Sequence, residues 1–299
     1  MEINKLEIEN FKLFAKEEFV FNPHFNLVIG VNGSGKTSLL RAISVALGNW
    51  AHGYMKDKNN YRPIFSDEIR EIQINNRFDK SKKSSIKSYG KSAIINNKGN
   101  KKTVIAEWSN KYHFGIESSE TLPTIEATVI SAKYIESSKQ HLLNFDSLGQ
   151  EVLNFIEKGD NFNLPLIAFY ECDRLWLASK KEPNIEEVAQ IRHSRFDPYV
   201  DCFHIGLKGN SAIVEWLIQN ELISLQQGEE FPVLKSIQKA ATGALENCSG
   251  IRFNFKQRRV IVEFEDKTSI PFEHLSDGQR TLLGLFCDLA RRAAILNPH

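Results

Sequence analysis

Apolar and charged residues alternate from the first positions of the chain. In MEINKLEIENF, Leu6 and Ile8 are separated by charge, the two-residue period of a half-buried strand. Phe19-Val20-Phe21 makes a second strand-like run, and Leu27-Val28-Ile29, beyond Pro23, a third. The period then lengthens. From near Gly35 to Leu47, the residues Leu39, Leu40, Ile43, Ala46 and Leu47 recur at helical spacing and predict an amphipathic helix.

The patterning returns to strand type at 103–108 and 125–131, and the continuously apolar run Leu164-Pro165-Leu166-Ile167-Ala168-Phe169-Tyr170 reads as a buried strand. From Ser211, SAIVEWLIQNELISLQQ repeats apolar residues at helical spacing, and a second helix is expected over 232–247. A hairpin over 251–255 and 260–264 follows, joined through KQRR. One last helix over 281–296 is closed by Asn297-Pro298. No internal repeat is visible.

Between Asp79 and Lys102 the composition changes: DKSKKSSIKSYGKSAIINNKGNKK sets eight lysines against one acid. So little apolar material predicts a solvated, flexible loop. Its lysine cluster, from Lys80 to Lys102, is the part of the chain best suited to contact a nucleic-acid backbone.

The bulk properties narrow the class. The chain has 299 residues, 41% hydrophobic and 25% charged, the balance of an ordinary globular protein. A net charge of +1 argues neither for nor against an anionic partner. No apolar stretch approaches a membrane span, and the charged N-terminal strand is unlike a secretory signal. Cys172, Cys202, Cys248 and Cys287 form no CxxC pair, which fits reduced thiols in a cytoplasmic protein.

Gly30-Val31-Asn32-Gly33-Ser34-Gly35-Lys36-Thr37 fits GxxxxGK[ST] without a mismatch, between an expected strand and an expected helix. Each residue type has a task in holding ATP. The glycines allow positive φ and let N–H groups converge on phosphate oxygens. The following helix directs its positive dipole end to the same place. Lys36 is expected to bridge the β- and γ-phosphates, the Thr37 hydroxyl to ligate Mg²⁺, and Ser38 to lie beside them.

Downstream, Leu275-Ser276-Asp277-Gly278-Gln279 precedes the last helix. Ser276 and Gln279 have the spacing of a capping box. The same stretch resembles the LSGGQ signature of ABC-type ATPases, with Asp277 in place of a glycine. Ser276, Asp277, Gly278 and Gln279 are therefore candidate nucleotide contacts. In that family the signature of one head touches ATP held by the P-loop of another, and the Asp277 carboxylate is expected to turn away from the phosphate.

With both motifs placed, the chain resembles an ABC-type ATPase head of the SMC and RecF class. It is most similar to the AAA-family ATP-binding proteins that include the PtuA-like proteins of Septu and retron-associated antiphage systems. LEIENFKLF, LPLIAFYECDRLW, RFDPYVDCFHIGLKGNSAIVEWLIQNELI and LSDGQRTLLGLFCDLARRAAILNPH carry the likeness with the P-loop. It implies an α/β P-loop NTPase with an antiparallel sheet portion, a helical lobe and an incomplete parallel sheet. Residues 1–50 and about 251–299 would supply the nucleotide core, and about 140–250 a mainly helical lobe. It further implies a head-to-head dimer, or pairing with a complementing chain, and a partner such as an HNH-type nuclease. DNA is a possible partner and a membrane is not. The other readings are a RecF-like DNA-repair ATPase and a nucleotide-binding regulator without turnover.

Hydrolysis in this class uses a strand ending in Asp-Glu after the signature helix. The apolar-then-acidic runs at 166–173 and 260–266 come before the signature, lack adjacent Asp-Glu and read as plain strands. No catalytic residue is assigned within the chain. The chain is expected to be a fragment or one half of a split ATPase, leaving the strand at 27–29 with open edges and an uncovered apolar face.

Overall fold

The structure is a computed structural model. It describes residues 1–54, 62–95, 103–115, 124–134, 140–141, 145–159, 162–171, 184–190, 194–200, 202–203, 205–228 and 232–298. The chain divides into two compact units, Met1–Ile167 and Ala168–His299.

In the first unit, strands β1 (Glu2–Phe11) and β2 (Phe14–Val20) form a hairpin. A small separate hairpin follows, β3 (Glu71–Ile74) with β4 (Arg77–Lys80), turning through Asn75 and Asn76, both at positive φ. Strands β5 (Lys83–Ile95), β6 (Thr103–Gly115), β7 (Thr124–Tyr134) and β8 (Gln140–His141) complete a six-stranded sheet in the order β2-β1-β5-β6-β7-β8. Every pairing among the described residues is antiparallel. Helix α1 (Lys36–Gly53) lays Leu39, Ala42, Val45 and Ala46 into a core with Leu6, Ile8, Phe11, Phe14 and Ile86. This face is rotated from the one expected, since Leu40 is exposed. Helix α2 (Phe145–Glu157) approaches α1 so closely that a Cβ on Gly149 would overlap the Gly53 carbonyl.

The basic stretch is corrected by this sheet. Lys83–Ile95 is strand, not flexible loop, and 96–102 lies outside the described residues. The reason is its period. Ser84, Ile86, Ser88 and Gly90 are buried, while Ser85, Lys87 and Tyr89 alternate with them on the open face. In register with β1, Lys87 stands opposite Glu7, so this lysine has an acidic neighbour across the ladder. Glu7 is also paired with Lys5, which reaches Glu18 on β2 as well, at 2.8 and 2.9 Å.

The second unit contains α3 (Ile185–Gln190), α4 (Asp197–Val200), α5 (Ile205–Gln227) and α6 (Pro232–Ala244). A three-stranded antiparallel sheet follows, β9 (Cys248–Asn254), β10 (Arg259–Phe264) and β11 (Ser269–Pro271), and then α7 (Asp277–Leu296). Trp216, Leu217 and Ile218 of α5, Ile237 and Ala241 of α6, Ile251 and Phe253 of β9, Val262 of β10, and Leu283 and Cys287 of α7 share one core. Cys202, Cys248 and Cys287 are buried free thiols, and Cys172 lies outside the described residues. Among the described residues, no helix is long and apolar enough to cross a membrane.

Two expected strands are not strands. The run from Leu164 to Tyr170 forms no ladder: Leu164 and Ile167 are buried, and the Phe169 N–H donates to the Cys202 carbonyl at 2.7 Å. Residues 22–31 carry no ladder either. There Phe25, Leu27, Ile29 and Val31 are 71–82% exposed.

Candidate functional site

The P-loop follows from where its glycines sit. Gly33 and Gly35 hold φ of +83° and +94°, a region that side chains strain to enter. A Cβ on Gly35 would also stand 2.7 Å from a Leu13 methyl and 2.9 Å from the Phe14 ring, so that position is closed by packing as well. At Gly30 a Cβ would stand 2.6 Å from the Ser34 hydroxyl, which shows how tightly the loop curls. The turn is fastened by the Ser34 N–H donating to the Val31 carbonyl.

Lys36 opens α1 and folds back over this curl. Its Nζ donates to the Gly30 carbonyl at 2.8 Å and to the Val31 carbonyl at 2.7 Å. The ammonium is thereby held across the loop instead of trailing into solvent. Val31, Asn32, Gly33 and Ser34 are exposed, as is Thr37, while Ser38 is half-buried. The first N–H groups of α1 have no intrahelical acceptor. An open concave backbone, a helix N-terminus, a fixed ammonium and an exposed hydroxyl together form a donor set that fits a triphosphate and its divalent cation.

Beneath α1, Arg62 and Glu68 make a buried pair, with Nη1 donating to Oε2 at 2.9 Å, and Arg62 Nε reaches the Ser44 hydroxyl on α1 at 3.2 Å. The pair anchors the helix that carries Lys36. It is invisible in the sequence, because nothing in PIFSDEIR distinguishes a buried Glu from its solvated neighbours.

In the second unit Ser276 is the N-cap of α7. Gln279 N–H donates to its Oγ at 3.3 Å, and Ser276 N–H donates to Gln279 Oε1 at 3.1 Å, the reciprocal capping box that the spacing predicts. Ser276, Asp277, Gly278 and Gln279 are all exposed. The Asp277 carboxylate pairs with Arg280 one turn along the helix. P-loop and capped turn belong to different units, the first to Met1–Ile167 and the second to Ala168–His299.

Farther along α7 lies a buried charge network that sequence reading missed. Asp288 accepts from Arg291 Nη2 at 2.8 Å, Arg292 Nε at 2.7 Å and the Tyr170 hydroxyl at 2.7 Å, and Arg292 Nη1 donates to the Pro198 carbonyl at 2.7 Å. Burial alone would raise the Asp288 carboxyl; the charges of Arg292 and Arg291 outweigh it and hold the group below the usual carboxylate range. Burial, with Asp288 beside it, pushes the Tyr170 phenol up, so it stays a donor. The available signal was an acid with arginines three and four residues later inside an apolar helix.

Comparison with known proteins gives the family. Residues 5–249 match the AAA_23 family model, described as an AAA domain. The chain is 22% identical to the retron Vc95 probable ATPase of Vibrio cholerae, over 99% of this chain and 61% of that protein. It is 39% identical to the DNA double-strand break repair Rad50 ATPase of Pyrococcus abyssi, over 24% of this chain and 8% of that one. To the DNA replication and repair protein RecF of Desulforamulus reducens it is 34% identical, over 27% of this chain and 22% of the relative. The chain thus spans less than two thirds of each relative's length.

Proposed function

The chain belongs to the AAA_23 family and is of the SMC/RecF-like ATPase class, and from that premise we propose that it binds ATP with Mg²⁺ at the P-loop and closes against a second head through the turn at Ser276. The observation that carries the reading is the loop itself: glycines at positive φ and an ammonium fixed on two loop carbonyls, open to solvent. Bound Mg²⁺ would supply charge neutralisation between the phosphates. Lys36 would leave its two carbonyls for phosphate oxygens, Thr37 would offer its hydroxyl to the cation, and the α1 N–H groups would orient the phosphate tail. Ser276, Asp277, Gly278 and Gln279, exposed on the other unit, would meet the nucleotide of a second copy, with Arg280 drawing the Asp277 charge aside.

The closed state would then act on a partner. Likeness to a retron ATPase supports a place in antiphage defence, and resemblance to the PtuA-like proteins makes an HNH-type nuclease the first partner to test. A ligand that contacts only the closed arrangement shifts the population towards it, whether or not hydrolysis follows. Calorimetry with ATP and Mg²⁺ tests the first step: Lys36→Ala should abolish the heat of binding. Light scattering with ATP tests the second: Ser276→Arg should bind nucleotide and remain monomeric. An arginine variant that dimerises like the parent would refute the two-headed arrangement.

A further inference from the structure

A second concave site lies in the Ala168–His299 unit, away from both motifs in sequence. The C-terminal end of α5, the start of α6 and strand β9 enclose an open cleft of about 590 Å³. Its lining combines Leu225, Leu234, Phe253 and Phe255 with the carboxylate of Glu221 and the guanidinium of Arg252. Phe253 and Phe255 meet edge to face at 5.2 Å, and Leu225 is 71% exposed at the rim.

The polar groups of the lining are unequally occupied. Gln238 is fully engaged, since its amide donates to the Ile251 carbonyl and its oxygen accepts the Ile251 N–H. Arg252 Nε is tied to Glu263 across the β9–β10 ladder at 2.5 Å. Glu221 has one oxygen fixed by the Phe253 N–H at 2.6 Å, and among the described residues nothing donates to the other. A carboxylate in that position, over an apolar floor, is complementary to a cation on an apolar stem.

We propose that this cleft receives an arginine side chain presented by a partner polypeptide, its aliphatic stem lying against the half-buried Phe255 and the exposed Leu225 and its guanidinium on Glu221. Arginine suits it better than lysine because a planar fork can meet a carboxylate and still lie flat against the Phe255 ring. A polypeptide suits it better than a free small cation because the exposed leucine extends the apolar surface beyond what one head group would cover. The groups facing Glu221 are Arg252 from β9, Glu263 from β10 and the uncharged Leu234 and Gln238 from α6. Burial pushes the Glu221 carboxyl up to about 7, against the Phe253 N–H and Arg252. The site therefore gains its charge, and its affinity for a cation, as pH rises through neutrality.

The test uses the full chain and three probes: the tripeptide amide acetyl-Leu-Arg-Phe-NH₂, its citrulline counterpart, which is neutral and nearly the same shape, and agmatine. Amide chemical shifts of Leu225 and Phe253 report binding. The arginine peptide should saturate, the citrulline peptide should bind at least about tenfold more weakly, and agmatine should bind far more weakly than either. Affinity for the arginine peptide should be about tenfold lower at pH 6 than at pH 8, the factor for a cation that needs a carboxylate titrating near 7. Glu221→Gln keeps an acceptor for the Phe253 N–H, and so the fold, but should remove both the arginine preference and the pH dependence. Leu225→Ala should weaken both peptides alike. Equal binding of the two peptides, an unchanged preference in Glu221→Gln, agmatine matching the peptide, or no binding at all would each overturn the proposal.

Discussion

Replacing Asp288 by alanine would leave two guanidinium groups in the core of the Ala168–His299 unit without their shared carboxylate. Asp288 and Arg292 have fully buried side chains, and that of Arg291 is 6% exposed. Breaking a buried ion pair from one side costs about 3–5 kcal/mol, because the remaining charge stays desolvated. Here one deletion strands two cations near each other, and the Tyr170 hydroxyl loses its acceptor, worth about 1 kcal/mol more. The loss should therefore lie at the upper end of that range, a large share of the roughly 5–15 kcal/mol that holds a domain folded. Urea unfolding, followed by a variant in which Trp216 is the single tryptophan, reports on this unit because that side chain is 3% exposed in its core. With m near 2 kcal/mol/M, the midpoint should fall by about 2.5 M. Tyr170→Phe, which removes one hydrogen bond and strands no charge, should cost about 1 kcal/mol. The pH response follows from the depressed carboxyl: its contribution is complete above the unfolded carboxylate pKa and is lost as pH falls through the lower folded value. An alanine variant losing no more than the Tyr170→Phe variant would refute a network that stabilises by neutralising buried charge.

Two further predictions concern the first unit. Glu68→Ala should cost about 3–5 kcal/mol by leaving Arg62 buried without its carboxylate, read as a fall in urea midpoint, and nucleotide binding should weaken with it because Arg62 reaches α1 through Ser44. Gly35→Ala should lower Tm and abolish nucleotide binding, since its Cβ would meet Leu13 and Phe14 at φ +94°; the left-handed conformation alone costs about 1–2 kcal/mol.

The parts of the fold legible in the sequence were those where local pattern and tertiary environment agree. β1, the start of α1, the β9–β10 hairpin and the Ser276 capping box all have a periodicity or spacing that packing does not override. The stretch around Lys87 was misread because its lysines dominate the composition while its alternation, Ser84, Ile86 and Ser88 inward, is carried by small residues that a hydrophobic count overlooks. The run from Leu164 to Tyr170 failed for the opposite reason: apolar enough for a strand, it spends a backbone N–H on Cys202 instead of a ladder. The P-loop was legible because its chemistry requires particular residue types at fixed positions. Glu221 was not, since its environment is assembled from α5, α6 and β9, distant in sequence.

Charge is used in two opposite ways in this molecule, which makes its functions separable by experiment. Arg62–Glu68 and the Asp288 network, in which one carboxylate serves two guanidinium groups, are buried and costly to break. Lys36, Thr37, Ser276 and Asp277 lie at helix starts, three of them exposed and Lys36 half-buried and held by two carbonyls, which under the proposed function it exchanges for phosphate oxygens. Substitutions in the first group should shift urea midpoints, with ligand response following only through α1. Those in the second should change ligand response while leaving unfolding free energies within about 1 kcal/mol, the value of a helix cap. If Lys36→Ala destabilised the chain as much as Glu68→Ala, the lysine would be a structural tie for the loop. The reading of an ammonium poised for a ligand would then fail at its first step.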